Sequence, residues 1–273
     1  MSNLTHKFPI YIPAGSQPSE NEDPLLVKAG VTNKALIEVN GKQLIDYVLE
    51  EVDQSKYVDR IYVVGISAED IEYHPKLPIE FIPSVGSRMD TLMNMINYLD
   101  SHYEVMPEQL LVLSADVPLI KASIIDNILE NLKSEYGDKF EKINYYYPIV
   151  PKDKVFEKYP EANKRYRKFT EGIFATGDFH VLSPKVLKNE KTVTTVTKIM
   201  NSRKTIVRLL FKFDLFAPFK YMLGKLSIRK QVIPFLTKEL DLTIELMITD
   251  FPEIVIDLDY PDDLELMSEF LER

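Results

Sequence analysis

Apolar positions along the chain follow two periods in turn, one of about two residues and one of about 3.6, and this alternation predicts a layered α/β protein. Residues 8–13 (Phe-Pro-Ile-Tyr-Ile-Pro) form a short apolar run, closed at once by a polar, Gly- and Pro-containing stretch over 14–33; the pattern is a strand followed by a long loop. Leu44, Ile45, Val48, Leu49 and Val52 then recur at helical spacing, and 60–66 is a β-branched run suited to a buried strand. A third strand is expected at 79–83 before a helix over 87–99, and a fourth at 110–114 before a helix over 120–132. Strands alternating with helices over this length imply a mostly parallel sheet with right-handed crossovers and helices on both faces.

Past residue 140 the pattern changes. A strand is expected at 143–150, and 165–184 is strand-like but carries Gly172 and Gly177, so the sheet is expected to turn antiparallel there. Residues 185–238 read as several short helices punctuated by Gly224 and Pro234, the pattern of a helical insertion or lid within a single domain spanning 1–273. Residues 242–248 and 253–258 are strand-like, and 262–272 reads as a closing amphipathic helix.

Composition narrows the function. The 33 basic and 42 acidic residues give a net charge of -9, and no dense Lys/Arg tract offsets it, so nucleic acid is not expected as a partner. With no cysteine in the chain, disulfides, thiolate metal sites and a Cys nucleophile are excluded. Residues 1–9 lack the pattern of a secretory leader, and no stretch approaches the roughly 18 apolar residues of a membrane span. The expectation is a cytoplasmic protein without a membrane partner.

Chemistry has three candidate locations. The first is the loop Ala14-Gly15-Ser16-Gln17-Pro18-Ser19, continuing to Asn33-Lys34-Ala35-Leu36. A glycine at the carboxyl end of the first strand lets backbone N–H groups approach a phosphate, and Lys34 supplies counter-charge; a surface turn with a solvated lysine is the competing reading. The second is Leu113-Ser114-Ala115-Asp116-Val117-Pro118, an apolar strand ending in a carboxylate at the sheet edge where Mg²⁺ can bridge to ligand phosphates. A turn or N-cap aspartate before Pro118 fits the same residues. The third is Ile256-Asp257-Leu258-Asp259-Tyr260-Pro261-Asp262-Asp263, where strand alternation puts Asp257 and Asp259 on one side and their repulsion invites a cation. Asp257 reads as support rather than ligand, and Asp262 and Asp263 as acids favoured at the start of the last helix.

Taken in order, these segments resemble the MobA-like nucleotidyltransferases, the group that includes molybdenum cofactor guanylyltransferase and relatives activating sugars, sugar acids and polyols. Ile12-Pro13-Ala14-Gly15 is similar to the family's opening strand and glycine loop, Asn33-Lys34-Ala35-Leu36 with Gly41-Lys42-Gln43-Leu44 to its lysine segment, Asp116-Val117-Pro118 to its Asp-x-Pro, and Asp257-Leu258-Asp259-Tyr260-Pro261 to its closing Asp-x-Asp-x-Pro. The resemblance implies a Rossmann-like, three-layer α/β/α nucleotidyltransferase (GT-A-like) fold with a mixed, mostly parallel sheet and a helical insertion. It further implies a nucleotide held by Ala14, Gly15, Ser16, Lys34, Gly86, Ser87 and Asn94, with Lys34 and Asp116 catalytic and Mg²⁺ on Asp116 and Asp259. Two departures stand out: Ser16 replaces a family glycine, and Glu20, Glu22 and Asp23 make the loop acidic, with Lys28 a candidate substitute for the missing base.

The expected reaction is transfer of a nucleoside monophosphate from a nucleoside triphosphate to a phosphorylated or other oxygen-nucleophile acceptor, releasing pyrophosphate. Such chemistry needs positioning and charge neutralisation more than a protein nucleophile. The four histidines, His6, His74, His102 and His180, have no metal-ligand spacing and are assigned no role. A nucleotide-sugar glycosyltransferase of related fold and a nucleotide-binding regulatory protein without catalysis are the competing readings.

Overall fold

The computed structural model describes residues 6–15, 23–201 and 203–273. In chain order it contains β1 (Phe8–Pro13), α1 (Pro24–Ala29), the small hairpin β2 (Glu38–Val39) and β3 (Lys42–Gln43), α2 (Leu44–Gln54), β4 (Val58–Val64) and β5 (Ile79–Ile82). There follow α3 (Arg88–His102), β6 (Leu110–Leu113), α4 (Ala122–Tyr136), β7 (Tyr145–Pro151), α5 (Lys152–Lys158), β8 (Arg167–Phe169), β9 (Gly172–Thr176) and β10 (Phe179–Leu182). The chain ends with α6 (Glu190–Asn201), α7 (Arg203–Phe213), α8 (Ala217–Met222), α9 (Ile233–Leu240), β11 (Ile244–Ile248) and α10 (Asp263–Glu272).

The main sheet has the order β5-β4-β1-β6-β10-β7-β9-β8, with β11 also paired to β7. It is mixed and mostly parallel: β5, β4, β1 and β6 run parallel, as does β11 to β7, whereas β10 is antiparallel to both β6 and β7, and β9 to β7 and β8. Alternation along each strand sorts its side chains to two faces. Ile10, Ile12, Ile61, Val63, Leu111 and Leu113 join the core shared with α2, α4 and α10, while Tyr11, Tyr62, Val64 and Leu110 join a second core with α3, α9 and the buried Leu226 and Ile228. Helices therefore cover both faces, giving the three α/β/α layers.

Two segments differ from the pattern-based expectation. The loop over 14–33 contains the helix α1, because Asp23 accepts the Leu25 N–H at 2.9 Å as N-cap, Pro24 suits the first turn and Gly30 closes the last. Residues 253–258 are not a strand. Pro252 lacks an N–H for a ladder and starts the 3-10 turn Pro252–Val255, after which 256–259 continue without strand pairing. The predicted strand over 165–184 is divided into β8, β9 and β10.

That division positions the site. Because β11 occupies one edge of β7 from Tyr145 to Ile149, β9 and β10 share the other, with Thr176 opposite Ile149 and Val181 opposite Tyr146. Between them, Gly177 and Asp178 leave the strand: the Gly177 N–H donates to Pro148 O at 3.1 Å and the Asp178 N–H to Ile254 O at 2.7 Å. Gly177 packs so closely that a Cβ there would lie 2.6 Å from Ile254 Cδ1. The interruption frees the Asp178 side chain from the sheet faces.

His180, next along β10, packs against Tyr145, whose hydroxyl lies 2.9 Å from His180 Nδ1, and burial pushes the imidazole down to about 4. Burial also pushes the Tyr145 phenol far above its ordinary range, so it stays protonated and donates to a neutral imidazole. The folded state resists protonation, so stability is complete above the unfolded-state value near 6.5 and falls as pH drops from there toward 4. Urea unfolding of the protein and of His180→Gln at stepped pH should show the wild type losing on the order of 2–3 kcal/mol relative to the variant across that window. Parallel pH profiles would contradict this account.

Candidate active site

A cavity of about 380 Å³ opens at the carboxyl edge of the parallel strands, lined by the ends of β1, β4 and β6, the 33–35 turn, Ser84, Thr91 and Leu92, and the acids Asp116, Asp178, Asp257 and Asp259. A crevice at this edge is where open α/β sheets bind ligands. Its floor is backbone. Gly65 has φ +107°, and a Cβ there would lie 2.3 Å from Gly15 Cα, so the ends of β1 and β4 approach to a distance that requires glycine at 65. Ala14 and Gly15 line this floor. Ser16 lies outside the described residues.

Asn33 joins the floor to the lysine turn. Its Nδ2 donates to Ala14 O at 2.6 Å, and its Oδ1 accepts the Ala35 N–H at 2.9 Å, which starts the 3-10 turn Lys34–Leu36 and aims Lys34 across the cavity. Lys34 Nζ donates to Leu258 O at 2.8 Å and to Asp259 Oδ1 at 3.3 Å, and lies 3.9 Å from Asp116 Oδ2. Burial opposes its charge, but Asp116, Asp259 and Asp257 outweigh that and hold the ammonium above its ordinary range. Asp116, just past β6, accepts from Ser114 Oγ at 2.5 Å. Asp259 is held by α10: the Asp263 carboxylate accepts the Asp259 and Tyr260 N–H groups at 2.9 and 2.8 Å.

The acids facing the cavity differ in their surroundings. Asp257 accepts from Lys164 Nζ at 2.5 Å, and the same ammonium donates to Asp257 O at 2.7 Å. Burial still raises the Asp257 carboxyl, with Asp116 and Asp259 adding to it and Lys164 opposing. Asp178 is pushed well above the carboxylate range by burial and by the Asp257 and Asp116 charges. Four carboxyls against two lysines leave the cavity short of positive charge for a polyanionic ligand. Carboxylate oxygens are hard donors suited to Mg²⁺, which commonly takes one or two protein carboxylates and completes its shell with water and substrate phosphates. Among the described residues no group of three or more acids or histidines is arranged to hold a metal on its own. Asp116 and Asp259 are the cavity carboxylates that could supply such donors.

Of the residues singled out in the sequence, Ala14, Gly15, Lys34, Asp116 and Asp259 line one cavity. Gly86, Ser87 and Asn94 are not among its lining residues: Ser87 and Asp90 form a reciprocal cap on α3, and Ser84 before that helix and Thr91 and Leu92 within it stand at the wall instead. Lys28 also lies elsewhere, donating to Pro261 O at 2.9 Å. Asn33, Gly65, Lys164 and Asp178 were not anticipated. Asp178 carries a faint signal in the sequence, a Gly-Asp pair interrupting a strand-like run.

The fold is shared with several solved structures. A hypothetical transferase from Thermus thermophilus is 22% identical, with 94% of this chain and 99% of that one aligned at a TM-score of 0.73. The 4-diphosphocytidyl-2C-methyl-D-erythritol synthase of Anaerococcus prevotii is 12% identical over 98% and 97% of the two chains at 0.53. A CMP:2-keto-3-deoxy-manno-octonic acid synthetase complexed with CTP is 13% identical over 97% and 98% at 0.53. A sequence comparison with curated proteins finds no match. At these identities the likeness shows a shared fold. Residues 28–141 match the family model of the MobA-like NTP transferase domain, and that segment holds Lys34, Ser84, Thr91 and Asp116.

Lys164 has only 9% of its side chain exposed and Asp257 20%. Replacing Lys164 by Met strands that carboxylate, which breaks the tie between 164 and the 256–259 segment. The expected loss is about 3 kcal/mol, at the low end for a broken buried pair because Asp257 can take up a proton. Urea unfolding at neutral pH measures it, and an unchanged midpoint would show that the pair does not hold this segment.

Proposed function

We propose that the chain transfers a nucleoside monophosphate from a nucleoside triphosphate to a phosphorylated or other oxygen-nucleophile acceptor, with Mg²⁺ on Asp116 and Asp259. The observation that carries this reading is the Lys34 ammonium, within 4 Å of both carboxylates at the mouth of a glycine-floored cavity. Lys34 would orient the phosphates, and Ala14 and Gly15 would let backbone approach them without side-chain obstruction. When bound, Mg²⁺ neutralises phosphate charge and acts as a Lewis acid on the phosphate oxygens. The acceptor oxygen attacks the α-phosphorus in line; the bond to the bridging oxygen breaks, and pyrophosphate leaves with the electron pair. Holding the two reactants in line is the larger part of such catalysis, and no protein nucleophile is required.

We further read residues 1–273 as one nucleotidyltransferase domain with 185–238 as a helical insertion. Supporting this, the chain returns after these helices to pair β11 with β7 in the same sheet. None of the cavity-lining residues comes from 185–238, which favours an insertion over a lid.

The test is pyrophosphate release with Mg²⁺, each common triphosphate and a panel of phosphorylated acceptors. CTP is the first choice because a structural neighbour is described with it bound. Asp116→Asn is expected to lower turnover by about a hundredfold or more, the scale for loss of a charge-stabilising contact, while the thermal midpoint stays close to wild type. Lys34→Met should weaken Mg²⁺-dependent nucleotide binding in the same assay series. Undiminished release by Asp116→Asn would refute the role given to that carboxylate.

A further inference from the structure

The helical segment between β10 and β11 carries a surface that nothing in the cavity explains. Of the large hydrophobic side chains exposed anywhere in the described protein, Phe211, Leu215, Phe216, Phe219, Met222 and Leu223 fall within one short stretch, with exposures from 47% at Phe211 to 82% at Met222. Their neighbours in the same stretch face inward. Leu210, Phe213 and Tyr221 pack on the second core, with Phe213 against Phe235 at 5.1 Å and Tyr221 against Phe169 at 6.2 Å between ring centroids. The turn joining α7 to α8 is fixed by Asp214, whose Oδ1 accepts the Phe216 N–H at 2.9 Å and whose carbonyl accepts the Ala217 N–H at 2.8 Å. The apolar side chains are therefore presented by anchored helices.

Charge identifies the occupant. Residues 208–230 hold six Lys or Arg and a single acid, Asp214, in a chain whose net charge is -9. Lys212 is paired with Glu239 and Lys220 with Asp214, whereas the exposed Arg208, Lys225, Arg229 and Lys230 have no acidic partner among the described residues. Exposed aromatic and aliphatic side chains in a segment rich in unpaired cations suit the headgroup region of a bilayer, with the apolar groups at the acyl boundary and the cations on anionic lipids. A second copy of the chain fits less well, because a twofold contact would bring these cations against their own equivalents and interface centres are poor in lysine. The protein's remaining acidity suits the opposite role, keeping the rest of its surface off the membrane.

We propose that the α7–α8 surface docks this protein peripherally on an anionic lipid bilayer. No helix of the described protein is long and apolar enough to cross a membrane, and interfacial docking needs none. The expectation of no membrane partner rested on the lack of a spanning stretch, which addresses only that mode of contact. The anchored surface also has a route to the cavity: the Thr170 N–H donates to Leu226 O at 2.9 Å at one end of β8, while Lys164 meets Asp257 beyond the other. Six residues of extended chain span roughly 20 Å. Docking does not depend on the proposed transfer reaction.

The test is co-sedimentation of the full chain with vesicles of phosphatidylcholine alone or mixed with phosphatidylglycerol. Binding is expected to be about tenfold stronger to the mixed vesicles and to fall as salt is raised. Phe216→Glu with Phe219→Glu should abolish it, and Lys225→Glu with Arg229→Glu should reduce it to the level of neutral vesicles. All four positions are exposed or point outward, so thermal midpoints and nucleotide-induced thermal shifts should match wild type. Absence of binding to the anionic vesicles would overturn the proposal, as would full binding by the Phe216/Phe219 variant. A concentration-dependent dimer lost in that same variant, without vesicle binding, would assign the surface to a second copy instead.

Discussion

One ammonium group, that of Lys34, organises the cavity at the sheet edge. It is carried by a turn that Asn33 ties to the end of β1, and it reaches a backbone carbonyl at Leu258 and the carboxylates of Asp259 and Asp116. Three segments remote in sequence are thereby drawn to one point at the sheet edge. The cost of desolvating a lysine is met by acids that would otherwise repel each other, and those acids tolerate proximity because the lysine is there. A similar reciprocity recurs with Lys164, which holds Asp257 by both its side chain and its carbonyl. The cavity is thus a network of mutually dependent charges rather than a row of independent ligands, and substitution at one member alters the electrostatics of the rest.

Much of the scaffold for this network was legible in the sequence because it depends on local signals. The apolar runs of β1, β4 and β6 and the helical periodicity of α2 and α4 report burial directly, and the residues just past strand ends mark the sheet edge. Asp116, just past β6, was readable for that reason, whereas Lys34 was reached through the loop after β1 and Asp259 through its alternation with Asp257. What escaped was set by packing at a distance. Gly65 carries no motif; its role exists only because β4 lies beside β1 and Gly15 needs the space. Asn33 looks like an ordinary cap until the Ala14 carbonyl is placed beside it. Gly86, Ser87 and Asn94 were assigned by position in a resemblance and do not line the cavity; Ser87 caps α3 with Asp90, and Asn94 lies within that helix.

The segment before α10 illustrates how a mistaken element can leave a residue's orientation intact. Residues 253–258 do not pair as a strand, since Pro252 diverts the chain into a 3-10 turn, yet Asp257 and Asp259 both line the cavity. Burial alternates from 256 to 259 although no ladder forms there. Burial of Ile256 and Leu258 supplies the hydrophobic side of that alternation, and Asp263 replaces the missing ladder by accepting two backbone N–H groups.

The gap between β9 and β10 carries a constraint of a different kind. Both strands lie along the same edge of β7, so the number of residues between Thr176 and Phe179 sets which way every later side chain of β10 points. Adding or deleting a single residue there would exchange the two faces, turning the buried Phe179 and Val181 away from their core and His180 into it. Descendants of this sequence can therefore trade the acid at 178 for another side chain, but the length of the interruption is not free to drift.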